Sequence, residues 1–135
     1  MPSLSRSEYP LLREAGLFIM FVRLTGPKGS CLVRLAVDTG ATATMIPPKV
    51  ALAIGCHPAR ARAFRETLTA SGREFIPLVV VPQVTLFERK LRRVTVACHE
   101  LPPGTPIDGL LGLDILIPLK ALIDLTKSLV RIRAH

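Results

Sequence analysis

The sequence predicts an all-β domain, a closed barrel-like fold with one or two short helices. Three observations lead to this prediction: short apolar runs separated by turn residues, one run in which apolar and polar residues alternate, and a single segment with helix start and stop signals. The chain has 135 residues, which is enough for one domain with a core and too few for two of ordinary size. We therefore expect an N-terminal arm at residues 1–14, either loose or a leading strand, and a single domain at residues 15–135.

The first two strands are predicted at residues 17–24 and 31–37, as a hairpin. Both runs are apolar, and the residues between them include two glycines and a proline, which are typical of a turn. A short helix is predicted at residues 49–54. Two prolines precede it and Gly55 follows it, and proline at a helix start with glycine just past its end is the usual asymmetry of helix termini.

Three further hairpins follow the same pattern of two extended segments around a short turn. Their turns are predicted at residues 67–73, 88–90 and 126–128, and small residues at the first of these allow a mobile tip. In the strand after the second turn, Val94, Val96 and Cys98 alternate with Arg93, Thr95 and Ala97, which predicts one buried and one solvent-exposed face. A helical turn is predicted at residues 114–116, before Pro118.

Composition narrows the class of protein. Hydrophobic residues make up 49% of the chain and the mean hydropathy is +0.41, so we expect some of the surface to be buried against another chain. No stretch approaches the roughly 18 apolar residues of a membrane span. The apolar run at residues 17–22 is brief, follows Arg13-Glu14 and has no small-residue cleavage site. The expectation is a cytoplasmic protein without a membrane span.

The net charge of +8 raises the alternative of a basic β-barrel module that binds nucleic acid. Aromatic residues are only 4% of the chain and tryptophan is absent, so stacking platforms for single strands are scarce. Solvated strand faces and turns account for most of the basic residues. The sequence therefore predicts no specific nucleic-acid binding, and the charge favours solubility or acidic partners.

The three cysteines do not form a C-x-x-C motif, and their odd number argues against a disulfide framework. Cys56-His57 and Cys98-His99 are two Cys-His dipeptides, which together offer four zinc ligands. The favoured interpretation is that both cysteines lie in the core and both histidines are solvated. No metal ion and no cofactor are predicted.

Two motifs carry the functional signal. Asp38-Thr39-Gly40 ends the apolar run of the second strand, and alone it indicates no more than a turn. Further along, Leu110 and Leu111 precede Gly112, and a short helix-like run follows.

Together these motifs resemble the retropepsin-like aspartic proteases, and the resemblance extends in order over residues 15–133, as in a bacterial-type single-domain member. In that family the Asp-Thr-Gly loop carries the catalytic aspartate, and the apolar-apolar-Gly segment packs beside it. The resemblance implies an aspartic endopeptidase, in which two carboxyl groups share a proton and activate water. Because the chain has one Asp-Thr-Gly, it implies a homodimer with two Asp38 carboxyls, one per subunit.

The resemblance also implies roles for other residues. Thr39 braces the dimer axis, Gly40 lets the backbone approach substrate, and Gly112, with Leu110 and Leu111, supports the loop from beneath. The substrate, a peptide or protein segment in extended conformation, is expected to contact the cleft and a flap that closes over it. These substrate-binding residues are Ala41 and Thr42 in the cleft, Ile107 in a pocket wall, and Ala70, Ser71, Gly72 and Arg73 at the flap tip.

Two positions depart from the retroviral members of the family. Those enzymes have a second aspartate after Asp-Thr-Gly-Ala and Gly-Arg-Asn after the apolar pair, and these groups tie the subunits together by charge. Here the matching positions are Thr42 and Leu113-Asp114. We therefore expect apolar contacts and strand pairing to hold the dimer.

Other interpretations remain at this point. Asp108, Asp114 and Asp124 are the other acids near the predicted site, and they are better explained as turn and strand-end residues than as a second catalytic group within one chain. The alternative functions are a catalytically weak dimer that binds peptides without efficient cleavage, and the basic nucleic-acid module.

Overall fold

The computed structural model of the protein describes residues 6–133, in which strands dominate and helices are short. The helices are α1 (Pro48–Ala53), α2 (Leu113–Leu116) and a 3₁₀ helix at Pro58–Arg60. No helix within this range is long and apolar enough to cross a membrane. The prediction of an all-β domain with one or two short helices is confirmed. The strands are β1 (Arg6–Pro10), β2 (Leu12–Glu14), β3 (Leu17–Gly26), β4 (Gly29–Val37), β5 (Met45–Ile46), β6 (Ala63–Thr69), β7 (Gly72–Leu86), β8 (Arg89–Cys98), β9 (Gly109–Leu111), β10 (Leu122–Asp124) and β11 (Leu129–Arg133).

Strand pairing closes the larger sheet into a barrel. The sheet has eight strands in the order β2-β3-β4-β9-β5-β8-β7-β6, and β3 also pairs with β7. This additional pairing, in which Arg23 lies opposite Thr85, closes the ring β3-β4-β9-β5-β8-β7. Strands β2 and β6 lie outside the ring, so the β6–β7 hairpin extends beyond the barrel.

The β3–β4 hairpin follows directly from its sequence. Leu24 and Val33 alternate with exposed or half-buried neighbours, and both, like Leu35, are almost fully buried inside the barrel. Burying an aliphatic side chain of this size contributes about 1.5–3 kcal/mol. The pairing continues to Gly26 and Gly29, so the strands extend beyond the predicted ends and the turn is shorter than predicted.

Helix α1 begins at Pro48, where the missing N–H of proline leaves no helical hydrogen bond unmade. It buries Val50 and Ala51 against the barrel and ends at Ala53. Gly55 follows with a φ of +89°, a conformation that glycine adopts without strain. The predicted short helix is therefore confirmed.

The predicted alternation along β8 fails at one position. Val96 and Cys98 are buried as expected, but Ala97, which the alternation assigns to the solvent-exposed face, is buried as well. Met45 of β5 lies beside Ala97 in the sheet, and the Ala97 N–H donates to the Thr44 carbonyl at 2.9 Å, so this end of β8 is packed against β5 and the loop before it.

A second, three-stranded sheet brings the two ends of the described chain together in the order β1-β11-β10. Arg131 joins its strands, donating to Glu8 at 2.9 Å and to Asp124 at 3.2 Å. Of the predicted arm, the described residues 6–14 form β1 and β2, and residues 1–5 lie outside the described part. The boundary between arm and domain stays a prediction.

The cysteines lie as expected and the histidines do not. Cys56 and Cys98 belong to the buried core. Burial raises the pKa of the Cys56 thiol, and burial together with the nearby Cys56 raises the pKa of Cys98 to about 11. His57 and His99 are half-buried rather than solvated, and each lines a cavity. Among residues 6–133, no three metal-ligating side chains come close enough to hold an ion.

Candidate active site

The fold brings the two motifs of the sequence side by side. Strand β9 pairs in parallel with β4, so that Val37 lies opposite Leu111. Directly after this pair, the Asp38 N–H donates to the Leu111 carbonyl at 3.0 Å. The Asp-Thr-Gly turn therefore leaves the barrel next to the apolar-apolar-Gly segment.

Backbone hydrogen bonds fix the half-buried Asp38 carboxylate. The Gly40 N–H donates to Asp38 Oδ1 at 2.9 Å, and the Ala41 N–H donates to the Asp38 carbonyl at 3.2 Å. A Cβ atom on Gly40 would lie 3.2 Å from Oδ1, which is tighter than an ordinary contact. The turn thus holds one oxygen of the carboxylate, while Thr39 at its tip is exposed.

Gly112 packs directly against the loop that follows Asp38. Leu113 N–H donates to the Ala41 carbonyl at 2.8 Å, which ties the start of α2 to this loop. A Cβ atom on Gly112 would lie 2.8 Å from the Ala43 carbonyl carbon and 2.9 Å from the Ala41 oxygen. Only a residue without a side chain fits between these two segments.

Thr44 and Asp114 form a polar brace that the sequence analysis did not identify. Thr44 is only 1% exposed. Its hydroxyl donates to Asp114 Oδ1 at 2.7 Å and accepts the Gly112 N–H at 3.1 Å. Its own N–H donates to Asp114 Oδ2 at 2.9 Å. The signal available in the sequence was a threonine at the end of a loop of small residues, with an acid in the first turn of α2.

The other candidate acids are engaged elsewhere. Asp108 Oδ2 accepts the Arg34 N–H at 2.8 Å. Asp124 accepts the Lys127 N–H at 2.9 Å, and this bond, with the Arg131 guanidinium, lowers the pKa of Asp124. Together with the Asp114–Thr44 pair, these contacts give each acid a structural role within the chain.

A cavity of about 270 Å³ lies beside the Asp-Thr-Gly turn. Three segments enclose it: the loop after Asp38, one face of the β6–β7 hairpin, and the end of β8. Ala41 and Thr42, which the resemblance assigns to the cleft, line this cavity. Most of the other lining residues cannot be predicted from the sequence, because they depend on how the hairpin folds over the loop. The lining residues are Gly40, Ala41, Thr42, Ala43, Met45, Arg65, Thr67, Glu74, Ile76, Ala97 and His99.

Arg65 connects the hairpin to this loop. Its guanidinium donates to the hydroxyl of Thr42, so strand β6 is linked to the segment that follows the Asp-Thr-Gly turn. Thr42 occupies the position at which retroviral members carry a second aspartate. In this chain the position is used for a contact between hairpin and loop.

The four predicted flap-tip residues lie at the end of the β6–β7 hairpin, where Thr69 pairs with Gly72. Gly72 has a φ of +122°, which permits the tight turn. Arg73 pairs with Glu66 at 3.1 Å. The tip residues, Ala70, Ser71, Gly72 and Arg73, do not line the cavity within the single chain.

Ile107 and Leu110 lie apart from this cavity. Ile107 packs with Ile19 and Ala36 in a small second cluster, and Leu110 packs against the same cluster. Leu111, by contrast, is fully buried in the main core. The structure therefore brings together Asp38, the residues after it and Gly112, and Ile107 is not among the residues that line this cavity.

Comparisons with known proteins agree with this arrangement. A profile of the family described as aspartyl protease matches residues 23–115. A retropepsin-like aspartic protease from Rickettsia conorii has a similar solved structure, with a TM-score of 0.70 and 21% identity over 98% of this chain and 96% of that chain. The retroviral protease-like domain of Ddi1 from Leishmania major is also similar, with a TM-score of 0.53 and 20% identity over 84% of this chain and 87% of that chain. The search of curated proteins gave no match. The chain belongs to the aspartyl protease family and has the retropepsin-like fold.

Proposed function

We propose that the protein is an aspartic endopeptidase that acts as a homodimer. The observation that carries this proposal is the Asp38 turn, in which the Gly40 N–H orients a half-buried carboxylate next to a cavity covered by a hairpin. Membership of the aspartyl protease family supports the same chemistry. The carboxylate is a general base for water when a second, protonated carboxyl group lies beside it.

In the proposed reaction the two Asp38 carboxyl groups of a dimer share one proton. The ionised group removes a proton from water, and the resulting hydroxide attacks the scissile carbonyl, while the protonated group donates a hydrogen bond to the carbonyl oxygen. Collapse of the tetrahedral intermediate breaks the C–N bond as a carboxyl group protonates the leaving amine. Gly40 and the loop after it hold the extended peptide, the β6–β7 hairpin covers it, and Thr39 braces the dimer axis.

The second carboxyl group is assigned to another subunit for two reasons. The chain has one Asp-Thr-Gly, and the acids considered as alternatives are held by other groups. The protein also exposes large apolar side chains that a dimer interface can bury, among them Ile117, which is 65% exposed. Apolar contacts of this kind take the place of the charge pairs that Thr42 and Leu113 cannot make.

Digestion of a denatured protein mixture tests the proposed activity. We expect the protein to release new amino termini, measured with an amine-reactive dye, at some pH between about 3 and 7. A statine-containing peptide, which mimics the tetrahedral intermediate, should stop the release. Binding of that inhibitor without any cleavage would identify a peptide-binding dimer instead. Neither binding nor cleavage would contradict the proposal.

A further inference from the structure

A second cavity, of about 420 Å³, lies at the base of the β6–β7 hairpin. The hairpin, the 3₁₀ helix and the segment after α1 enclose it. Its basic side chains are Arg60, Arg62 and His57, and its small and apolar ones include Ala61, Ala63 and Leu78. We call it the basal cavity. None of its lining residues is acidic.

The basal cavity and the cavity beside Asp38 lie along the same face of the β6–β7 hairpin. Ala63 pairs with Leu78, and two residues along the hairpin Arg65 pairs with Ile76. Side chains two residues apart on a strand point to the same face and lie about 7 Å apart. The first pair lines the basal cavity and the second pair lines the cavity at the Asp38 loop. One face of the hairpin therefore passes from one cavity to the other.

Like most arginines of the described chain, the two arginines of the basal cavity make no ion pair with a carboxylate of their own chain. Arg34, Arg73 and Arg131 each pair with a carboxylate. Within residues 6–133, by contrast, no ion pair involves Arg60 or Arg62, and both are exposed. Guanidinium groups bind carboxylates through paired, charge-assisted hydrogen bonds. The cavity thus combines two guanidinium groups that have no carboxylate partner within the described residues with a lining of small and apolar side chains.

We propose that the basal cavity is an exosite for an acidic and apolar stretch of the substrate polypeptide. Carboxylates of the substrate bind Arg60 and Arg62, and a neighbouring aliphatic side chain packs on Leu78 and the adjacent alanines. The inference rests on the proposed function, because it takes the polypeptide bound in the basal cavity to be a substrate of the protease. Charge complementarity and the shared hairpin face favour a polypeptide that already lies in the cleft over a separate ligand.

Binding is measured with the Asp38→Asn variant, so that no cleavage interferes. The probe is a short fluorescent peptide of alternating Glu and Leu, and its anisotropy reports binding. We expect a peptide of alternating Gln and Leu to bind at least about tenfold more weakly, because it lacks the charge-assisted bonds. Arg60→Ala combined with Arg62→Ala should weaken binding of the Glu-Leu peptide by about tenfold and leave the Gln-Leu peptide unaffected.

Two further variants separate the cavity from general surface charge. Lys90→Ala combined with Arg92→Ala removes the same two charges from exposed positions of β8 and should leave binding unchanged. Ala63→Glu introduces a carboxylate at the cavity wall, at an exposed position that tolerates it, and should weaken binding as the arginine variant does. Equal losses in both charge-removal variants would overturn the inference. So would tighter binding of a short uridine oligonucleotide that depends on Arg60 and Arg62, since the cavity would then serve nucleic acid.

Kinetics distinguish failure of the exosite from failure of the proposed activity. For a cleavable peptide carrying a Glu-Leu extension, loss of Arg60 and Arg62 should raise KM about tenfold without changing kcat, and should not affect the same peptide without the extension. If the enzyme is active but loss of Arg60 and Arg62 changes KM equally for peptides with and without the extension, or not at all, the exosite alone is contradicted. Peptide binding without any cleavage would contradict the peptidase alone.

Discussion

Replacement of Asp38 by Asn is expected to abolish peptide-bond hydrolysis and to leave the fold intact. Asparagine keeps a side-chain oxygen at the position where Asp38 Oδ1 accepts the Gly40 N–H, so the turn should keep its shape. It cannot act as a base for water or share a proton with a partner carboxyl group. We expect kcat/KM to fall by about 10⁴-fold or more, while circular dichroism shows an unchanged unfolding temperature.

Asp108→Asn and Asp124→Asn are the matched controls for this substitution. Asp108 accepts a backbone N–H from Arg34, and an asparagine oxygen can accept the same bond. Asp124 lies in the small terminal sheet, away from the Asp38 turn. Both variants should therefore retain most of the activity. Full activity in Asp38→Asn, or its loss in both controls, would show that the catalytic group has been misassigned.

Gly112→Ala is expected to cause a large loss of stability, because a single methyl group would collide with the Asp38 loop. Its Cβ would lie within 3.0 Å of three backbone atoms of Ala41 and Ala43. Backbone atoms cannot rotate away as a flexible side chain can, so the Asp38 loop or α2 must shift. We expect the free energy of unfolding, measured in urea, to fall by about 3 kcal/mol or more, with activity lost in any molecules that remain folded.

Gly104→Ala provides the comparison. No atom lies within 4 Å of a Cβ at this position, but its φ of +82° strains any residue with a side chain. That strain alone costs about 1 kcal/mol. A Gly112→Ala variant no less stable than Gly104→Ala would mean that the loop and α2 are not packed as described.

Local signals in the sequence were sufficient to predict much of the fold. The β3–β4 hairpin and α1 are encoded by alternation, turn residues and the prolines and glycine around a short segment. The approach of the Asp-Thr-Gly turn to Gly112 was predicted by resemblance, because each motif is a short, continuous stretch of sequence. Closure of the barrel by β3 and β7 depends on pairing between distant segments, which no local pattern specifies.

The parts of the site that were missed depend on tertiary contacts. Thr44 and Asp114 are far apart in sequence, and only the packing of the loop against α2 makes them partners. Arg65 contacts Thr42 because the hairpin folds back over the loop. Ala97 is buried for a similar reason, since β5 pairs beside it, although alternation alone assigns it to the solvent-exposed face. Each case requires knowledge of which segments meet in space.

The most direct test of the central claim, one active site built from two Asp38 carboxyls, is a mixing experiment. Wild-type protein is combined with Asp38→Asn protein and allowed to exchange subunits, while sedimentation confirms the dimer. At about nine variant subunits for each wild-type subunit, random pairing should lower activity per wild-type subunit to about a tenth. Unchanged activity per wild-type subunit after full exchange, or an active species that sediments as a monomer, would contradict the account.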